Sequence, residues 1–139
     1  MQSARDLLYA YVEALNNHDP AAAAALYADD GTLDFPFAAS VGRPSAVTGP
    51  AALEAFLTDL LDFVPDFAFH DVELFLDTPD HVFAEYRVDA TTKIGRPFAN
   101  LYGARLTARN GKITLLREYL DVVLTARAML PNGTRDIPA

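Results

Sequence analysis

Two short charged motifs carry residue types suited to acid–base chemistry, Arg87-Val88-Asp89 and Arg117-Glu118-Tyr119. The first lies in a run that alternates strictly. Val82, Ala84, Tyr86, Val88 and Ala90 fall on one face, with Phe83, Glu85, Arg87 and Asp89 on the other. In an apolar hollow, burial raises the pKa of one of two nearby carboxyl groups while a guanidinium keeps the other ionised, so an acid and a base coexist. In an ordinary half-buried antiparallel strand the charged face is simply the wet one. The alternation is compatible with both.

The second motif belongs to a hairpin in which Asn100, Tyr102, Ala104 and Leu106 share a face with Leu116, Glu118 and Leu120. Leu101, Arg105, Leu115, Arg117 and Tyr119 take the opposite face. Neither face is purely polar, as happens when a sheet lines a pocket on one side and meets another subunit on the other. Tyr11, on the apolar face of a helix, suits a core position or a ligand contact equally. His18 and His81 fall in turns where solvation is the ordinary outcome, and His70 sits on a strand of unclear facing. No His or carboxylate spacing suggests a metal site, and the chain has no cysteine.

These groups need elements to hold them. Ser3 and Asp6 form a capping-box pattern ahead of a helix running to about Asn16, with Leu7, Leu8, Tyr11 and Leu15 at helical spacing. Asp19-Pro20 starts a second helix, expected over Ala21 to Ala28. Thr32 to Phe35 reads as a strand stopped by Pro36, Ala38 to Gly49 as a loop and candidate lid or rim, and Pro50 as the start of a third helix carrying Leu53, Phe56, Leu57, Leu60 and Leu61. Four strands follow, at Phe67–Leu76, Val82–Thr92, Phe98–Ala108 and Lys112–Val122. A three-residue turn, Arg109-Asn110-Gly111, would set Tyr102 opposite Glu118, whereas a two-residue Asn-Gly turn would set it opposite Tyr119. Residues 131–139 read as a flexible tail or arm.

At 139 residues the chain fits one domain, 1–139, and its 51% hydrophobic content can fill a sizeable core. A net charge of −8 opposes phosphate backbones and anionic lipid, so neither nucleic acid nor membrane is an expected partner. No apolar run is long enough for a span or export signal, and the expected location is cytoplasmic.

The order of elements, with Tyr11-Val12-Glu13-Ala14-Leu15, Leu26-Tyr27-Ala28-Asp29-Asp30, Gly95-Arg96-Pro97-Phe98, Asn110-Gly111-Lys112-Ile113 and Arg117-Glu118-Tyr119-Leu120-Asp121, resembles the SnoaL-like branch of the nuclear transport factor 2-like superfamily. Ketosteroid isomerase, limonene epoxide hydrolase and small phenazine-biosynthesis proteins are relatives. The resemblance implies an α+β fold in which a cone-shaped, curved, mixed or antiparallel sheet wraps a pocket covered by three helices. It does not imply one reaction. Against ketosteroid isomerase, the oxyanion tyrosine falls on Tyr11, but the base falls on Phe35 and the protonated aspartic acid on Tyr102, so the usual steroid isomerisation is not expected. Asp34, next to that base position, would normally point the other way. Limonene epoxide hydrolase fits better: Arg87-Val88-Asp89 matches its Arg-x-Asp strand motif, and Glu118 replaces its second carboxylate. The implied roles are Glu118 drawing a proton from water, Asp89 protonating the opening epoxide and Arg87 bridging them. Its water-holding tyrosine and asparagine have no clear counterpart near Thr32 to Asp34.

Placing Arg87, Asp89 and Glu118 inside leaves Val82, Ala84, Tyr86 and Val88 outside, which implies a homodimer through the outer sheet face. Expected pocket residues are Tyr11, Phe35, Phe56, Asn100, Tyr102, Leu116 and Leu120, with Phe37, Phe98 and the 38–49 loop shaping the site. The resulting expectation is a cofactor-independent enzyme performing hydration, isomerisation or cyclisation on a hydrophobic metabolite. The alternative is a non-catalytic binding or biosynthetic assembly protein of the same fold.

Overall fold

The structure, a computed structural model, describes all residues from Met1 to Ala139. Helix α1 spans Ala4–Asn16, with Ser3 accepting from the Asp6 N–H and Asp6 accepting from the Ser3 N–H. This reciprocal cap satisfies two backbone donors at the helix start. Helix α2 is shorter than its alanine run suggests, Pro20–Ala24, and strand β1 begins at Tyr27 and ends at Asp34. Pairing with the last strand overrides helix propensity here: Tyr27 pairs with Ile113, whose N–H donates to the Leu26 carbonyl at 2.9 Å. The two chains approach so closely at Gly31 that a Cβ there would lie 2.5 Å from the Ile113 carbonyl oxygen.

The expected 38–49 loop contains a 3₁₀ turn, Ala38–Val41, and a short edge strand β2, Ala46–Thr48. Helix α3, Pro50–Phe63, follows, then β3 (Phe69–Asp77), β4 (His81–Thr91), β5 (Pro97–Arg109) and β6 (Lys112–Tyr119). They form one open mixed sheet in the order β2-β1-β6-β5-β4-β3, with β1 parallel to β6 and every other neighbouring pair antiparallel.

A fourth helix, α4 (Val122–Met129), occupies sequence in which only a strand end and a connecting stretch were expected, so four helices rather than three accompany the sheet. Asp121 caps it by accepting from the Leu124 N–H at 3.0 Å. The tail expected to be loose contains a 3₁₀ turn, Gly133–Asp136. Apolar contact explains this: Ile137 packs on a small cluster of Val41, Ala126 and Leu130. The Arg96 guanidinium also donates to the Leu130 and Pro131 carbonyls, the latter at 2.8 Å, joining the end of α4 to the β4–β5 turn.

The β5–β6 register differs from both sequence alternatives. Asn110 and Gly111 take positive φ values of 53° and 72° in a two-residue turn, so Arg109 pairs with Lys112 and Ala108 with Ile113. A bulge beyond Thr107 then adds a residue to β6, and Glu118 pairs with Ala104. The turn and bulge shift register by two in total, which preserves facing. Tyr102 and Glu118 therefore share the inner face without being directly opposed.

Candidate active site

The pleat of β4 corrects the expected orientation of the charged motif. Val82, Ala84, Tyr86, Val88 and Ala90 are all 5% exposed or less, whereas Arg87 and Asp89 are exposed on the outer face. Because facing changes at every residue, Arg87-Val88-Asp89 cannot send its charges inward without expelling the apolar set. Burying each large apolar side chain is worth roughly 1.5–3 kcal/mol, while burying unpaired charge is costly, so both contributions favour this orientation. The inner apolar side of β4 is thus core, not the outer surface for a second subunit. Arg87 and Asp89 instead border an outer-face cleft with His70, Asp71 and Asp121.

Glu118 stands apart from them. It is 3% exposed on the inner face of β6, where the bulge aligns it with Ile113 and Leu116. Its carboxyl accepts a hydrogen bond from the Tyr86 hydroxyl, supplied by the inner face of β4. Burial pushes the Glu118 pKa from the usual 4.5 up to about 7, with the Tyr86 hydrogen bond opposing the rise. Near neutral pH this carboxyl exchanges a proton readily.

Glu118 lines a cavity of about 550 Å3 between the inner sheet face and the helices. Tyr11 and Leu15 reach it from α1, Leu33 and Phe35 from the end of β1, and Phe56, Leu57, Leu60 and Phe63 from α3. Phe98 and Tyr102 contribute from β5, Leu120 from the end of the hairpin, and Val122, Thr125 and Met129 from the α4 region. The expected residues Tyr11, Phe35, Phe56, Tyr102 and Leu120 therefore border the cavity. Asn100 and Leu116 do not. The Asn100 amide ties β5 to the start of α4 through the Asp121 backbone and the Thr125 hydroxyl, and Leu116 is fully buried in the core. Phe37 is half exposed against Tyr119, while Phe98 is a buried wall.

Four phenols surround this region. Burial is the main cause raising Tyr11, Tyr27, Tyr86 and Tyr102 above the ordinary phenol pKa; the Glu118 charge adds to it in each, and Tyr27 adds more at Tyr11. All remain protonated and able to donate. Tyr86 packs at 4.3 Å from Phe69 and 5.7 Å from Tyr102, fixing the phenol that contacts Glu118. Tyr27 meets Tyr11 edge-on at 5.9 Å, and its buried hydroxyl has no hydrogen-bond partner.

Tyr86 was visible in sequence only as part of the apolar side of β4, so its role as a carboxyl partner emerged from the tertiary arrangement. The aromatic walls Phe67 and Phe69 were likewise indistinguishable from core residues. Asp34 points outward and accepts from Arg117 Nε at 2.7 Å. His18 Nε2 contacts the Phe67 carbonyl at 3.0 Å, His81 contacts Asp80 at 3.1 Å, and His70 is exposed. No group of three or more His, Asp or Glu side chains could hold a metal ion, and no helix is long and apolar enough to cross a membrane.

The SnoaL-like domain family model matches residues 8–116, most of the chain. The protein belongs to the SnoaL-like family. Its fold is similar to that of a Bacillus subtilis protein provisionally named an isomerase, with TM-score 0.80, 21% identity, and 90% and 91% of the two chains covered. A provisionally named polyketide cyclase from Xanthomonas campestris pv. campestris matches with TM-score 0.73, 26% identity, and coverages of 86% and 90%. A phenazine biosynthesis-related protein from Pseudomonas aeruginosa gives TM-score 0.76 and 21% identity, covering 98% of this chain and 86% of its own. No curated protein matches the sequence. This SnoaL-like protein shares its nuclear transport factor 2-like fold with proteins given several functional descriptions, so the fold by itself does not fix a reaction.

Proposed function

We propose that this SnoaL-like protein is a cofactor-independent acid–base enzyme that isomerises or cyclises a hydrophobic carbonyl compound. The observation carrying this reading is Glu118, a buried carboxyl with a pKa near 7 bordering a largely apolar cavity. A general base works best with its pKa close to the operating pH. Ionised Glu118 accepts a proton from carbon beside the carbonyl and, once protonated, returns it at another position. Tyr11 and Tyr102 border the same cavity as protonated phenols, suited to donating to the carbonyl oxygen as it gains charge. Tyr86 orients the carboxyl from behind.

Epoxide hydration by the Arg87–Asp89–Glu118 set is not retained, because two of its three members face away from the cavity. Proton transfer requires only the carboxyl that is inside.

The direct experiment incubates hydrophobic cyclic ketones with the protein in D2O and follows exchange of their α-protons by NMR. Wild type accelerates exchange with a rate rising through about pH 7, and Glu118→Gln lowers it by at least about 100-fold while retaining its near-UV circular dichroism. Undiminished exchange in a folded Glu118→Gln variant removes the base from the mechanism.

A homodimer through the outer sheet face belongs to the same reading, on grounds different from those first expected. Glu73 and Glu85 are cross-strand neighbours there, so like charges adjoin within one copy, while of the neighbouring Arg105 and Arg117 only Arg105 lacks an ion pair, Arg117 holding Asp34. Leu76 and Phe83 add an apolar pair. A two-fold-related copy offers the acidic pair of one subunit to Arg105 of the other and covers the apolar pair. Sedimentation equilibrium tests this: a dimer in wild type that dissociates in Glu85→Arg supports it, and a wild-type monomer at high concentration rejects it.

A further inference from the structure

The inner end of the cavity holds Glu118 and the phenols, and four other charged residues also border the cavity. Two of them neutralise each other. Lys93 Nζ lies 3.0 Å from Asp62 on α3, while the Lys93 backbone N–H donates to the Phe63 carbonyl at 2.8 Å. Arg43 and Asp59 remain. Neither forms an ion pair within the chain.

Arg43 is positioned by backbone geometry. Gly42 turns left-handed at φ 78°, the Arg43 N–H donates to the Ala38 carbonyl at 3.0 Å, and a Cβ on Gly42 would meet Pro138 at 3.1 Å. The turn is therefore packed against the C-terminal segment, with the exposed Arg43 bordering a cavity that is apolar over most of its lining. In a chain with 19 acidic and 11 basic residues, and with Asp59 also unpaired beside the cavity, an anionic ligand meets general repulsion, so an unpaired, exposed guanidinium bordering the cavity matters for capture. The planar guanidinium also presents parallel donors that match a carboxylate.

We propose that the cavity takes amphipathic carboxylates, with the apolar body among Phe35, Phe56 and Phe63 and the carboxylate on Arg43. The proposal rests on the cavity being a ligand site and is independent of whether Glu118 acts as a base. It gives the ligand a direction: the end remote from the carboxylate enters toward Glu118. Lys93 plays a lesser part because Asp62 engages its charge.

The test uses N-phenyl-1-naphthylamine, an uncharged apolar fluorophore, as reporter, displaced by decanoate or by decanol. On wild type, decanoate displaces the reporter at a concentration about fivefold lower than decanol, although decanol is the more apolar competitor, and added salt narrows the gap. Arg43→Glu abolishes the preference while leaving the decanol midpoint within about twofold. Equal displacement by both compounds on wild type, or a preference surviving in Arg43→Glu, overturns the carboxylate assignment. Reporter displacement by decanol alone would leave the ligand cavity standing without its anion subsite. A reporter that does not bind at all rejects the cavity as a ligand site and this inference with it. Carboxylate preference alongside full exchange activity in Glu118→Gln would retain Arg43 and remove only the proposed base.

Discussion

The two faces of β4 contain similar numbers of residues but opposite chemistry. Inside, Tyr86 lies against Phe69 and donates to Glu118; outside, Arg87 and Asp89 lie in solvent one residue to either side of Val88. The difference shows that charge density does not mark a site. A single carboxyl deprived of water acquires a pKa suited to proton transfer, whereas an exposed Arg-x-Asp motif is stabilised by water and has no comparable reason to react.

The largest expected contrast between the faces is in stability. Leu106→Ala, at a fully buried inner position, lowers unfolding free energy by roughly 2–5 kcal/mol in urea titrations, while Thr107→Ala, its neighbour on the other face, changes it by no more than about 0.5 kcal/mol. Similar losses at both positions would contradict the assigned facing.

Proton linkage at Glu118 follows in size. Its folded pKa is raised, so its stabilising contribution is complete below the usual 4.5 and is lost as pH rises through about 7. Between those values the folded state binds more protons than the unfolded state, and stability declines by about 3 kcal/mol in total. Glu118→Gln flattens that decline in chemical unfolding measured from pH 4 to 8 and is more stable than wild type at pH 8. An unchanged slope would mean that Glu118 titrates normally.

Tyr86→Phe should reduce ketone exchange by about tenfold, as expected for losing one oriented hydrogen bond. Because that bond opposes the upward pKa shift, its removal also moves the midpoint of the pH–rate profile upward. A rate loss with an unmoved midpoint would reassign Tyr86 to packing alone. The smallest effect belongs to the outer face: Arg87→Ala and Asp89→Asn leave exchange within about twofold of wild type, and a large loss in either would restore them as candidates.

Much of the framework was legible because local rules agreed with the fold. The Ser3–Asp6 cap, the apolar face of α1, Pro50 opening α3 and the alternation of β4 each expressed an element directly. Tyr27 defeated a local reading, since its strand depends on Ile113, 86 residues away in the chain. Helix α4 carries its own cap at Asp121, but the β-branched Val122 and Val123 also suited continuation of the preceding strand.

Residue pattern determined that β4 has one apolar and one charged face and that the chain could build an α+β core; it left open whether Glu118 or Tyr119 shares a face with Tyr102, which the bulge beyond Thr107 decided. Tertiary structure decided which face looked inward, brought Tyr86 to Glu118 and formed the cavity. The physical reason is that alternation defines two sides only relative to each other; an inside exists once the helices cover one of them and remove water from whatever carboxyl lies beneath.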